Sequence, residues 1–203
     1  MDPKRETVAA YDAYAERFDE EYERHMRRYN LMHADAFAAA LPGRSVLDVG
    51  AGPGNHAAYF AAKGLDVLCG DVSAEMVAIC RRKGLSAIAL DLETFGLPER
   101  FEGIWANACL LHVPKSSMTE VLDRVARHLV PHGVLGCSVK EGEGERIEEH
   151  DEYPGIRRRF SYYADDEFRS LLFRRFAIER FERTVTRSKK TVFLKYVARI
   201  RPS

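Results

Sequence analysis

The stretch Val46-Leu-Asp-Val-Gly-Ala-Gly-Pro-Gly-Asn-His56 constrains this chain most. The apolar run Val46 to Val49 reads as a buried strand. It breaks at three alternating glycines, Gly50, Gly52 and Gly54, and the amphipathic stretch His56 to Lys63 reads as a helix. A strand, a tight loop and a helix start bring backbone N–H groups onto a ligand. Glycine admits close approach and positive φ in such a loop. A second strand, Leu65 to Cys69, ends at Gly70-Asp71, which places Asp71 21 residues after Gly50. An acid at the tip of a second strand can accept hydrogen bonds from both hydroxyls of a ribose. The competing reading, a purely structural turn, leaves that acid without a role.

The alternation of strand and helix continues, which predicts a parallel sheet. Ser73 is an N-cap for a helix through Met76, Val77 and Cys80 to Lys83, stopped by Gly84. A third strand, Ala87 to Leu90, delivers Asp91-Leu92. A fourth, Gly103 to Ala106, runs into Asn107-Ala-Cys-Leu-Leu-His-Val-Pro114. Ser116 or Ser117 opens a helix burying Val121, Leu122, Val125 and Leu129, and Val134 to Val139 is a fifth strand. The end reads as a helix, Ala164 to Phe173, and two strands, Ala177 to Arg183 and Thr191 to Arg199, joined by Thr184 to Lys190. Before the sheet, Val8, Tyr11, Ala15, Phe18 and Tyr22 form one helical face, and a second helix, Leu31 to Ala40, stops at Leu41-Pro-Gly43.

The 203 residues fit one domain with a sizeable core, 1–203. It divides into N-terminal helices (1–43), a core (44–140), an insertion (141–163), and a helix with a closing hairpin (164–203). Lys+Arg and Asp+Glu both number 31, so net charge is zero. That balance disfavours a global attraction to nucleic acid or an anionic membrane. Cys69, Cys80, Cys109 and Cys137 form no C-x-x-C pair, so buried reduced thiols are favoured over metal ligands, and no metal is expected. Without a secretory or spanning apolar segment, the expected location is cytoplasmic. Seven acids between residues 141 and 152 repel one another and predict a mobile loop. Arg157 to Arg159, Tyr162 and Tyr163 follow it. They read either as a substrate lid, with arginines for a carboxylate or phosphate, or as a solvated insertion.

The glycine loop in the pattern D-x-G-x-G-x-G, beginning at Asp48, differs from a dinucleotide fingerprint, whose third glycine belongs where Asn55 stands. With Asp71 downstream, it resembles motif I of the class I S-adenosylmethionine-dependent methyltransferases. Tyr11 to Asp19 is similar to the N-terminal lid helix of small-molecule members. Leu129 to Leu135 is similar to their L-x-P-G-G-x-L turn, with His132 replacing one glycine. The resemblance implies a Rossmann-like α/β fold: a seven-stranded, mostly parallel sheet, helices on both faces, the last strand antiparallel, and a helical lid. It implies S-adenosylmethionine as methyl donor and S-adenosylhomocysteine as product. Gly50, Ala51, Gly52, Gly54, Asn55 and Asn107 would hold the methionyl end, Asp71 the ribose, and Val72, Met76, Asp91 and Leu92 the adenine. Tyr11 would help close the site, with Tyr14, Tyr22, Arg157, Tyr162 and Tyr163 as acceptor-side candidates.

Several readings compete at single residues. Asp91 can cap the following turn instead, and the N-terminal aromatics can simply dock their helix. His112, with an ordinary pKa of about 6.5, is either a base for the acceptor or a residue that fixes its loop. The expected reaction moves a methyl group to O, N or S of a small-molecule acceptor, in a monomer or homodimer. The alternatives are an RNA methyltransferase, which requires a basic stripe, a nicotinamide-dependent oxidoreductase, or a non-catalytic donor-binding protein.

Overall fold

The computed structural model describes residues 3–150, 153–186 and 191–202, with side chains of residues 150 and 153–156 left aside. The end of the acidic stretch (151–152) and most of the predicted final connection (187–190) therefore lie outside the described residues.

Three helices precede the sheet: α1 (Pro3–Ala13), α2 (Ala15–Tyr29) and α3 (Leu31–Ala40). The break between α1 and α2 falls at Tyr14, whose φ of −127° and ψ of 24° leave the helical region. The aromatic periodicity passes straight through this break. The central strands are β1 (Ser45–Val49), β2 (Asp66–Asp71), β3 (Ser86–Ala89), β4 (Phe101–Ala106) and β5 (Leu129–Glu141). They alternate with α4 (Asn55–Ala62), α5 (Ala74–Arg82) and α6 (Met118–Arg127). A hairpin, β6 (Glu145–His150) and β7 (Tyr153–Tyr163), precedes α7 (Asp165–Phe173), β8 (Phe176–Val185) and β9 (Val192–Ile200).

The order β3-β2-β1-β4-β5 is parallel throughout, and antiparallel β9 joins β5 and then β8. These seven strands are the predicted sheet. The other two of the nine are the hairpin, whose β7 pairs parallel with the end of β5 through Lys140–Tyr162 and Glu141–Tyr163. Over the described part of the acidic stretch 141–152, the expected loop is corrected to a strand, β6, paired with β7. The reason is electrostatic: Glu148 stands opposite Arg158 and Glu149 opposite Arg157, so these two acids face bases across the ladder.

Side-chain alternation divides the core. Val46, Trp105, Val134 and Val197 face α3 and α4, where Phe37 and Phe60 pack. Leu47, Ile104, Leu135 and Ala198 face α6 and α7, against Val125, Phe168 and Leu172. Both faces of a parallel sheet are thereby covered. Ser73 caps α5 as predicted, its hydroxyl accepting from the Met76 N–H at 3.1 Å.

His132 has φ of +65°. A side chain there is strained where glycine is not. His132→Gly is expected to raise stability by about 1 kcal/mol, read as a higher urea midpoint at unchanged slope. An unchanged or lower midpoint would show that the turn carries no such strain.

Candidate active site

The C-terminal ends of β1, β2, β3 and β4 open into a cavity of about 1090 Å³, roofed by α1, α2 and the hairpin. Its floor is the loop after β1. Gly50 (φ +63°) leaves no room for a side chain, since a Cβ there would lie 2.4 Å from Cβ of Cys109. At Gly52 (φ +55°) the added Cβ would face Tyr22 across the cavity at 3.6 Å, so bare backbone lines the space between them.

Asp71 closes the loop from the end of β2. One carboxylate oxygen accepts from Gly52 N–H at 2.8 Å and the other from Ser73 N–H at 2.9 Å. Burial raises its pKa, and these two N–H bonds oppose the rise. Each oxygen retains acceptor capacity toward the cavity. Asp48, at 2 % exposure on β1, lines the same floor. Its pKa is raised well above the ordinary value, first by desolvation, then by Cys80 and Asp71. Its Oδ2 has no hydrogen-bond partner among the described residues. A buried polar atom without a partner, facing a cavity, is a place for a ligand or water donor.

Asp91 lies on the cavity at the end of β3, and its carboxylate takes both 2.7 Å bonds from the Lys4 ammonium of α1. Glu93 lies 2.8 Å from the same ammonium. Leu92, Val72 and Met76 line the wall between Asp71 and Asp91. Asn55 is drawn into tying loop to lid: its Nδ2 donates to the Asp19 carbonyl and its Oδ1 accepts from Lys83 at 2.6 Å.

The Asn107 orientation is fixed by a chain of bonds. Ala108 N–H donates to Ser138 Oγ, and that hydroxyl donates to Asn107 Oδ1, both at 2.9 Å. The two Nδ2 protons of Asn107 are therefore left for the cavity.

His112 Nδ1 lies 2.6 Å from the Arg159 carbonyl, which can only accept. The proton therefore sits on Nδ1, and Nε2 accepts from the Tyr11 hydroxyl at 2.8 Å. Desolvation pushes the His112 pKa down to about 3; the Arg159 carbonyl opposes the fall, and Arg158 and Lys140 add to it. The ring is neutral at physiological pH, but a conjugate acid so strong makes it a weak base.

Three acceptor-side candidates do not line the cavity. Tyr163 is fully buried in the core against Phe168, because strand parity turns it away from Tyr162, which does line the cavity. Arg157 falls outside the cavity, half-exposed beside Glu6 and Glu149, and its neighbour Arg158 points inward, 8 % exposed. Tyr14, at the α1–α2 break, packs on Phe18, Met76 and Ile79 instead of lining the cavity. Tyr11 and Tyr22 do line it. Lys140, Phe160, Ser138, His25 and Phe193 also line it and were not singled out from the sequence as site residues. For Lys140, a lysine closing an apolar strand was the available signal. Among the described residues no group of three or more metal-ligating side chains converges.

Residues 46–133, the span from β1 into β5 that builds this floor, match the family model of a methyltransferase domain. Over this span the chain is similar to methyltransferase domains. Malonyl-[acyl-carrier protein] O-methyltransferase of Enterobacter lignolyticus (strain SCF1) is 31% identical over 138 residues, 65% of this chain and 52% of that protein. The chain thus spans about half the length of this curated relative. The Burkholderia thailandensis 1,6-didemethyltoxoflavin-N1-methyltransferase, solved with 1,6-didemethyltoxoflavin and S-adenosylhomocysteine, is 25% identical with a TM-score of 0.67. That match covers 94% of this chain and 89% of the other. The DhpI–SAH complex shares the fold at a TM-score of 0.77 and 20% identity, covering 99% and 98% of the two chains. No described helix is long and apolar enough to cross a membrane.

Proposed function

We propose that the protein transfers a methyl group from S-adenosylmethionine to a small-molecule acceptor. The carrying observation is the convergence of the Gly50–Gly54 loop, Asp71 and the Asp91-Leu92 strand end on one cavity. The residues fit the donor: a backbone cradle without side chains at Gly52, an acid with spare lone pairs at Asp71, and an orphaned carboxylate oxygen at Asp48. When bound, S-adenosylmethionine supplies a methyl group already activated by its sulfonium.

The chain's own residues then bind, orient and exclude water. Asp71 would accept from the ribose hydroxyls, and Val72, Met76 and Leu92 would line the adenine. Asp91 reaches the adenine amino group only while sharing its carboxylate with Lys4, so backbone at Leu92 is the readier partner. Asn107 directs its amide protons at the methionyl end. Tyr11, held by His112, closes the roof beside the acceptor. His112 serves as a positioning residue and not as the base. Aligning acceptor and methyl in a closed, dry cavity is the main source of rate.

The test is calorimetric titration of ligand-stripped protein with S-adenosylhomocysteine and, separately, NADH. Saturable binding of the former alone is expected. Preference for NADH would favour the oxidoreductase reading.

A further inference from the structure

Resting on the methyltransferase reading, we propose that the acceptor presents an oxyanion, a carboxylate or a phosphonate or phosphate, to Arg158 and Lys140. The two cations come from different strands, β7 and the end of β5, and meet at the Phe160 ring. Lys140 Nζ lies 3.3 Å from its centroid and Arg158 Cζ 5.4 Å. Phe160 packs 4.9 Å from the His112 ring. Arg158 also sits over Tyr11 and Phe18 and directs an N–H at the Tyr11 hydroxyl, 3.4 Å away. Aromatic walls beside two largely buried cations form a pocket that takes a flat or apolar body and a charged oxygen end.

Glu148 lies 3.6 Å from Lys140 and opposite Arg158 across the ladder, and it also accepts from the Tyr162 hydroxyl. Glu141 is held by Arg183, and Glu149 faces Arg157. At His112, in the middle of this wall, the charged neighbours that act on the ring are Arg158 and Lys140, both positive. An amine would meet that field unfavourably. The proposal asks Arg158 and Lys140 for donors and not for unpaired charge; a guanidinium has five N–H groups and an ammonium three.

The same assignment removes the need for a base. An oxyanion brings its attacking lone pair already exposed. The O–CH3 bond forms as the S–CH3 bond breaks, the bonding pair stays on sulfur as a neutral thioether, and no proton is released. That accords with His112 being spent on Tyr11.

The experiment is calorimetric titration of the S-adenosylhomocysteine-loaded protein with benzoate, phenylphosphonate, benzamide and benzylamine. The variants are wild type, Arg158→Gln and Lys140→Gln. One or both anions are expected to bind about tenfold or more tighter than benzamide, with benzylamine weakest. Each substitution should weaken the anion about tenfold while leaving S-adenosylhomocysteine affinity within about threefold. The tighter anion distinguishes carboxylate from phosphonate. Benzamide or benzylamine binding as tightly as the better anion would overturn the proposal. So would the absence of anion binding up to about 20 mM, or equal anion affinity in all three proteins. The wild-type ranking stands even if a variant fails to fold. Failure of folded protein to bind S-adenosylhomocysteine at all would overturn the methyltransferase reading itself, and this proposal with it.

Discussion

Asp71→Ala is expected to weaken S-adenosylhomocysteine binding by about two orders of magnitude, because two charge-assisted hydrogen bonds to the ribose are lost together. The loss is compounded locally. The same carboxylate holds Gly52 N–H and Ser73 N–H, so its removal also releases the loop under the donor and the cap region of α5. Asp71→Asn keeps one acceptor oxygen and should fall between wild type and Asp71→Ala. Calorimetric titration reads both, with thermal unfolding as a control for folding. A dissociation constant within about threefold of wild type would place the ribose elsewhere.

Mild acid is expected to cost the ligand-free protein about 2 kcal/mol of stability per pH unit between pH 6 and pH 4.5. Three imidazoles carry the effect. His33 is 1 % exposed against Trp105, and His56 and His112 face the cavity. Desolvation pushes each down to about 3, with Lys195 adding to the fall at His33 and His56. In the unfolded chain they titrate near an ordinary ~6.5. As pH falls below that value, the unfolded chain takes up protons that the folded chain refuses. The stability present above pH 6.5 is therefore lost progressively toward pH 3. Asp48 and Asp71 act in the opposite sense, because their raised pKa values let the folded chain bind protons first. They return up to about 1.4 kcal/mol per unit each, which leaves one to two net protons driving the loss. Urea unfolding at pH 7.5, 6 and 5 checks the slope. Stability that stays level or rises on acidification would contradict it.

The sheet was legible because each signal was local: an apolar run, a glycine or Ser cap, a helix at 3.6-residue spacing. Ser73, the stop at Pro42-Gly43 and the acid at the end of β2 all follow from near neighbours. The hairpin was not legible, because its stability lies in the register. Acids crowded in sequence look repulsive until β6 pairs with β7 and sets Glu148 and Glu149 against arginines about ten residues away. Parity explains why Arg157 and Tyr163 turn away from the cavity, whereas Tyr14 does so at the α1–α2 break. In a run such as Arg157-Arg158-Arg159 or Tyr162-Tyr163, which member turns inward depends on where the strand begins, and a one-residue shift exchanges every face. The Tyr11–His112 bond joins residues 101 positions apart and has no sequence signature. The depressed histidines likewise depend on burial that composition does not report.

We propose a donor that lies over the Gly50–Gly54 loop with its ribose on Asp71. A crystal structure of the S-adenosylhomocysteine complex tests it most directly. Ribose hydroxyls are expected within about 2.5–3.0 Å of the Asp71 carboxylate, and adenine between Val72, Met76 and Leu92. A ligand bound elsewhere in the cavity, with Asp71 contacting only Gly52 and Ser73, would contradict it.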